Sequence, residues 1–245
     1  MKKSTSFLFS FLFLLLALMQ CSPTPKAGQG EMLVSGKIEG LRKGTLYLQK
    51  FVDTLLTSID SVSIDGMPQF AFTTPIESPE LYYLSLTKDD GDSLKDRIPF
   101  FGEPGSITIN TRLKTFETSA QIEGSENQNL YREYQSYIRK FNDQQLDFLQ
   151  DYFEFQKEGM QKEVDSLQKM LDNLIRRKYL YAINFASNNA DHEIAPFIAL
   201  AEVYDANLSL LDTLANRMSP EVAASKYGKK LTAYLDKRRG AIAEE

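Results

Sequence analysis

Ile122-Glu123-Gly124-Ser125-Glu126-Asn127-Gln128-Asn129-Leu130 is where the chain changes periodicity. Before Gly124, apolar residues recur every second position between clusters of turn residues. After it they recur every three or four. Ser125 to Gln128 has the form of a capping box, in which the Ser125 oxygen accepts the Gln128 N–H and the Gln128 side chain reaches back. The junction therefore closes a β-rich half and opens a helical one.

Upstream, Leu33 to Ile38 opens the alternation, and Gly40 to Gly44 form a connection. Thr45 to Phe51 alternates clearly, as does Ser58 to Ile64, which stops at the turn pair Asp65-Gly66. Phe70 and Phe72 share one face. Leu81 to Leu86, Ile98 to Phe101, Ile107 to Ile109 and Ala120 to Glu123 complete about eight short strands. That spacing predicts an antiparallel sandwich or open barrel over 32–124. Pro99 belongs on an edge or at a bulge, because it has no N–H for a ladder.

Downstream, Leu130, Tyr134, Tyr137 and Phe141 step by four, three and four, with Ile138 widening the stripe. Met160, Val164, Leu167, Leu171, Leu174, Tyr181 and Phe185 follow a heptad interrupted at Lys178. Two long antiparallel helices result, with a bend at Glu158-Gly159 and an end at Asn188-Asn189. A third helix is expected from about His192 to Asp205, with Pro196 in its first turn. Two or three shorter helices are expected between Leu208 and Arg239, the last holding Leu231, Tyr234 and Leu235. The expected fold class is α+β: the sandwich, then a helical domain over 125–245 built on the long helix pair.

The first 20 residues have a different character. Met1-Lys2-Lys3 is a short positive segment, and Phe7 to Met19 is an almost unbroken apolar run, too short to span a bilayer. Leu18-Met19-Gln20-Cys21 resembles a lipobox, with Gln20 where a small residue is usual. Residues 1–20 are thus expected to be a lipoprotein signal peptide, and Cys21, the one cysteine, to carry acyl chains such as palmitate. An ordinary secretory signal with an incidental cysteine is the alternative. Residues 21–31 read as a flexible tether, with the Pro- and Gly-rich run Ser22 to Gly30. No acidic cluster follows Cys21, which favours an outer-membrane lipoprotein facing the periplasm over one on the cell surface. Loss of Lys2 and Lys3 from the 28 basic residues leaves 26 against 33 acidic ones, a formal charge of −7. That balance argues against nucleic acid as a partner. The membrane contact expected is the lipid on Cys21.

Candidate chemistry is sparse, and neither catalytic residues nor cofactors are assigned. His192, the one histidine, lies between Asp191 and Glu193 at a helix start, where a polar surface residue is expected. With Cys21 acylated, a zinc site lacks its usual ligands, and the sequence has no Gly-x-Ser-x-Gly elbow and no phosphate-binding glycine loop. Asp89, Asp90 and Asp92, with Asp96 nearby, concentrate carboxylates that suit calcium, but their spacing is not that of an EF-hand, and acidic hairpin ends are common. No metal ligand is assigned. Asp60-Ser61 either lines a ligand cleft or makes a structural hydrogen bond at a strand end. Tyr131, Tyr134, Tyr137, Phe141, Phe148, Tyr152 and Phe153 exceed one helix face, so some rings pack in a core and some are available for a groove or partner surface. Lys237-Arg238-Arg239 suits the negative end of a helix dipole.

The first half resembles a family of envelope lipoprotein domains of unknown function. The matching segments are Val34 to Gly40, Gly44 to Leu48, Ile59-Asp60-Ser61-Val62, Asp65-Gly66 with Phe70-Ala71-Phe72, and Ile122 to Ser125. The helical half resembles the region C-terminal to that domain in the same proteins, in Asn188 to Leu200 and Ser225 to Leu231. In that family the domain usually precedes a thioredoxin-like or peroxiredoxin-like domain of thiol-disulfide interchange proteins. Two departures matter: Met67-Pro68-Gln69 lengthens the turn before Phe70, and no Cys-x-x-Cys is present, the sequence ending at Glu245 where a redox domain would begin. The resemblance therefore implies the scaffold and not the chemistry. The expected function is a non-catalytic, lipid-anchored envelope binding or accessory module. An accessory subunit docking a separate thioredoxin-like protein and a carboxylate-dependent envelope hydrolase are the alternatives.

Overall fold

The computed structural model describes residues 27–88 and 96–243. The expectations placed on the signal peptide, Cys21, most of the tether, and Asp89, Asp90 and Asp92 fall outside the described residues.

The α+β architecture is the one that the two periodicities imply. Eight strands run β1 (Glu31–Glu39), β2 (Lys43–Val52), β3 (Leu55–Asp65), β4 (Gln69–Pro75), β5 (Glu80–Thr87), β6 (Asp96–Gly102), β7 (Gly105–Arg112) and β8 (Gln121–Glu123). They form two four-stranded sheets, ordered β4-β1-β7-β8 and β3-β2-β5-β6. Alternation sends Val34, Leu46, Leu48, Phe70, Phe72, Leu84, Ile107 and Ile109 into one shared core between the sheets. Pro99 sits on β6, at the edge of its sheet, where its missing N–H removes no ladder bond. Among the described residues five ladders are antiparallel, and β1 runs parallel to β7, Val34 opposite Ile107. Strand direction leaves no mark on alternation, so the parallel pair is a structural finding.

One strand departs from alternation. Phe100 belongs to the core between the sheets, while its neighbour Phe101 belongs to the second, helical core. On β5, Tyr82 lies in the first core and Leu81 packs on the second. At its β5–β6 end this sheet is therefore apolar on both faces, with helices covering the outer one.

Those helices are α1 (Glu126–Glu158), α2 (Gln161–Asn188), α3 (Ile194–Glu202), α4 (Leu208–Arg217), α5 (Pro220–Ala224) and α6 (Lys226–Ala243). α3 stops at Glu202, short of the expected Asp205, and α6 is longer than expected. α1 and α2 pack antiparallel and turn at Gly159, whose φ of 75° is the left-handed conformation of a glycine C-cap. At 33 residues α1 is about 50 Å long, and its buried residues, Asn127, Gln128, Tyr134 and Ile138, all lie near its start. Beyond them the two helices zip together along Val164, Leu167, Leu171 and Leu174, which are buried, while no residue in 139–178 belongs to the second core. The heptad break at Lys178 has a local partner, since its Nζ donates to Asn142 Oδ1 across the seam at 2.8 Å. The distal half of the pair is thus an arm. Among the described residues no helix is long and apolar enough to cross a membrane.

Gly124 makes the turn from β8 into α1 possible. Its φ is 100°, and a Cβ there would lie 2.0 Å from the Ser106 carbonyl oxygen. Gly124→Ala is expected to cost at least about 3 kcal/mol. Gly159→Ala, with positive φ but open space around it, is expected to cost about 1 kcal/mol. Urea unfolding of the two variants checks the ranking.

Candidate functional site

The chemistry of the molecule concentrates where the first turn of α1 enters the junction between the cores. A helix leaves its first N–H groups without internal partners, and here they run from the exposed Glu126 into the buried Asn127 and Gln128. Ser125 Oγ accepts the Gln128 N–H at 3.0 Å, the cap foreseen from the sequence. The reciprocal half of the box does not form. Gln128 instead turns its Oε1 to the Phe101 N–H at 2.7 Å, satisfying the free edge of β6. Glu103, from the β6–β7 turn, replaces the missing half: its Oε1 accepts the Glu126 N–H at 2.7 Å and its Oε2 the Asn127 Nδ2 at 3.0 Å. A carboxylate suits this end of a helix dipole. Asn127 also donates to Glu193 Oε2 at 2.9 Å, and its Oδ1 accepts the Ile194 N–H that starts α3 at 2.9 Å. Two amide side chains thereby tie β6, α1 and α3 together.

Around this tie lies an aromatic cluster. The Phe101 ring centroid is 5.6 Å from that of Phe197, 6.1 Å from Tyr227 and 6.4 Å from Tyr131. The Tyr227 hydroxyl accepts the Leu81 N–H at 3.1 Å, beyond the end of the β2–β5 pairing. Beneath it Glu80, 5% exposed, accepts from Lys50 Nζ at 2.7 Å and from Lys226 Nζ. The two lysines keep part of their surface in water, so the charges are paired without being fully desolvated. Burial pushes Tyr131 and Tyr227 up to about 12, and raises Tyr82, where the Glu80 charge adds to burial. Burial also raises Tyr134, and it pushes Tyr181 up to about 12. These phenols remain neutral at physiological pH.

Two grooves open along α1, one beside the cluster and one farther along the helix. One, about 460 Å³, has Ile98, Pro99, Ile122 and Tyr131 as its floor and Arg132 and Arg139 on its rim. Arg132 is committed to the Ile122 carbonyl and Asn129 Oδ1. The other, about 420 Å³, lies at the base of the arm among Glu133, Tyr137, Tyr181, Asn184, Asn188 and Asn189. Among the described residues no cluster of three or more His, Cys, Asp or Glu side chains is placed to hold a metal ion.

Asp60 and Ser61 lie apart from both grooves, exposed on edge strand β3 beside a register shift opposite Leu48/Gln49. The Asp60 Oδ1 accepts the Ser61 N–H at 2.7 Å, the kind of local bond such residues make at irregular strand positions. His192 is partly exposed, its Nε2 3.8 Å from Asp191 and 3.9 Å from Glu126. Of the aromatic stripe, Tyr134 is buried, Tyr131, Phe141, Phe148 and Tyr152 are half-buried, and Tyr137 and Phe153 face solvent. Glu80, Glu103 and Asn127 carry no local pattern that would single them out in the sequence. The nearest available signal was the unbroken pair Phe100-Phe101, which marks a strand with two apolar faces.

Residues 32–131 match the family model described as a domain of unknown function, DUF4369. The match takes in every strand of the sandwich, crosses the Gly124 junction and stops inside α1 at Tyr131. The sandwich, together with the turn that ties it to the helices, is thus similar to a domain family with no assigned function. No curated protein matches the chain.

Asn127→Ala removes the partner of the Ile194 N–H and is expected to cost about 2–3 kcal/mol. Asn127→Asp, which sets a third carboxylate against Glu103 and Glu193, costs more at pH 7. Thermal melts compare the two variants. Folding raises the buried phenols above the usual 10.0, so the stability they contribute is complete below pH 10 and is lost as pH rises through about 12. Tyrosinate absorbance should therefore appear in that window together with loss of helical circular dichroism.

Proposed function

We propose that this protein is a non-catalytic binding or accessory module of the bacterial cell envelope, anchored by lipid on Cys21 at the outer membrane and facing the periplasm, with the α1–α2 arm as its docking element. The observation that carries this reading is the outer surface of the arm. Leu146 is 65%, Phe153 61% and Ile175 52% exposed although the seam between the helices is already filled. Leu146 and Phe153 lie seven residues apart on one face of α1, and by helical register Ile175 of α2 borders that face across the antiparallel seam. Isolated exposed apolar residues are ordinary, but a row of them on an element standing outside the core is the form of a recognition surface. Charge frames it: Asp143, Asp147, Asp151 and Glu154 line α1, while Lys162, Lys169 and Arg176 recur every seven residues on α2.

The partner class is a thioredoxin-like protein. The support is the resemblance of the sandwich, the Asn188 to Leu200 segment and the Ser225 to Leu231 segment to proteins that carry such a domain, together with the match of residues 32–131 to a family of the resembling kind. The arm supplies the contact, and the redox chemistry belongs to the partner.

Photo-cross-linking in cells tests the reading, with the probe at Phe153 or Leu146 and, as a control, at Asp60. The expected result is one discrete adduct from the arm positions, containing a Cys-x-x-Cys protein, that disappears in Phe153→Asp. Cys21→Ser is expected to move the protein out of the membrane pellet. Equal cross-linking from Asp60, or reduction of insulin disulfides by the purified chain alone, contradicts the proposal.

A further inference from the structure

We propose that the groove at the base of the arm is a carbohydrate site that takes one or two rings of a neutral oligosaccharide. The site lies apart from the row formed by Leu146, Phe153 and Ile175, so it stands whether or not the arm docks a protein.

Its construction is legible in the helix spacing. Glu133 and Tyr137 are one turn apart on α1, and Tyr181, Asn184 and Asn188 form a single stripe on α2, so two short rows face each other across the seam. Tyr137 is 43% exposed. Its ring centroid lies 5.0 Å from that of Tyr181, with 32° between the planes, which makes a stepped aromatic platform. Buried rings fix the platform from below: Tyr134 stacks on Tyr181 at 6.0 Å and 13°, and Phe185 packs against it at 5.9 Å. A platform held this way loses little freedom when a ligand settles on it.

The polar groups around it are unspent. The Glu133 carboxylate and the Asn184 and Asn188 amides make no side-chain hydrogen bond to another described residue, whereas Asn189 is committed to the Phe185 carbonyl at 2.8 Å. The Tyr181 hydroxyl is buried and has no partner among the described residues, so it does not address the groove. The groove thus offers a flat apolar surface, two amides that each donate and accept, and one carboxylate that accepts. A pyranose ring has the complementary chemistry: a C–H face that lies on an aromatic ring, and an edge of vicinal hydroxyls that donate and accept together.

Other ligand classes fit less well. An anion would meet the Glu133 carboxylate. A cation would be repelled by Lys140, whose Nζ lies 4.7 Å from the centroid of the Tyr137 ring, whereas a neutral ring stacking on Tyr137 has only to displace that exposed, flexible side chain. A wholly apolar ligand would bury the amides without partners, at a cost. A volume of about 420 Å³ is ample for one or two sugar rings.

Titration calorimetry on the full-length protein tests the site, in a zwitterionic detergent because glycoside detergents would compete. The probes are chitotetraose, cellotetraose and maltotetraose. The expected result is binding of at least one probe with Kd about 0.1–1 mM. Tyr137→Ala should weaken it at least about tenfold, Asn184→Leu should weaken it by a smaller factor, and Tyr137→Phe should retain it. Both altered side chains are exposed, so thermal unfolding should stay near that of the parent protein. If Tyr137→Ala fails to fold, Asn184→Leu alone decides. The proposal is overturned if none of the three probes binds up to about 10 mM, or if binding persists unchanged in the variants.

Discussion

The first turn of α1 has to be buried and hydrogen-bonded at once, and the way it meets both demands organises the molecule. Burial is forced because the turn comes directly after β8 and lies against the β5–β6 end of a sheet. The hydrogen bonds come from Ser125, from Glu103 two strands earlier, and from the amide side chains of Asn127 and Gln128, which face outward to α3 and β6. An unpaired buried N–H costs about 1–3 kcal/mol, so this arrangement has little freedom to slide. The sandwich and the helices are joined by geometry rather than by a tether.

Two consequences reach the rest of the structure. β6 becomes a strand with two apolar faces, giving Phe100 to one core and Phe101 to the other. The Phe101 ring then gathers Tyr131, Phe197 and Tyr227, and Tyr227 with Lys226 brings the start of α6 onto Glu80. The second consequence concerns the arm. With α1 anchored through its first turns, its remaining length is supported by α2 alone along one heptad seam, which leaves the outer faces available. The groove between α1 and α2 lies where the anchored and unanchored parts meet, and clefts between packed helices are a usual place for binding sites.

The sequence made the local elements legible because each is written in its own periodicity. Alternation located the strands from Leu33 to Glu123, the capping Ser125 located the start of α1, and Val164 to Phe185 located the seam. Pro99 was placed at an edge by a chemistry that holds wherever proline occurs. Three features were hidden because they depend on residues far apart in the chain. The parallel pairing of β1 with β7 has the same alternation as an antiparallel one. Gln128 matched a local capping pattern, yet a β-strand edge competed for its side chain and won. Glu80 and Glu103 look like surface acids until Lys226 and Asn127, more than twenty residues away, are seen beside them. At the base of the arm, Tyr137 and Asn184 are unremarkable apart and acquire a shared chemistry only once α1 and α2 fold together.

Native-state hydrogen exchange tracked residue by residue measures the central claim most directly. If the first turn of α1 joins the two cores, the amides of Phe101, Gln128 and Ile194 should share one opening free energy, close to that of global unfolding. The distal arm around Leu146 and Ile175 should open at a lower cost. Exchange of Ile194 and Gln128 through an opening that leaves Phe101 protected would contradict the account, because it would mean that the helices detach while the sandwich stays whole.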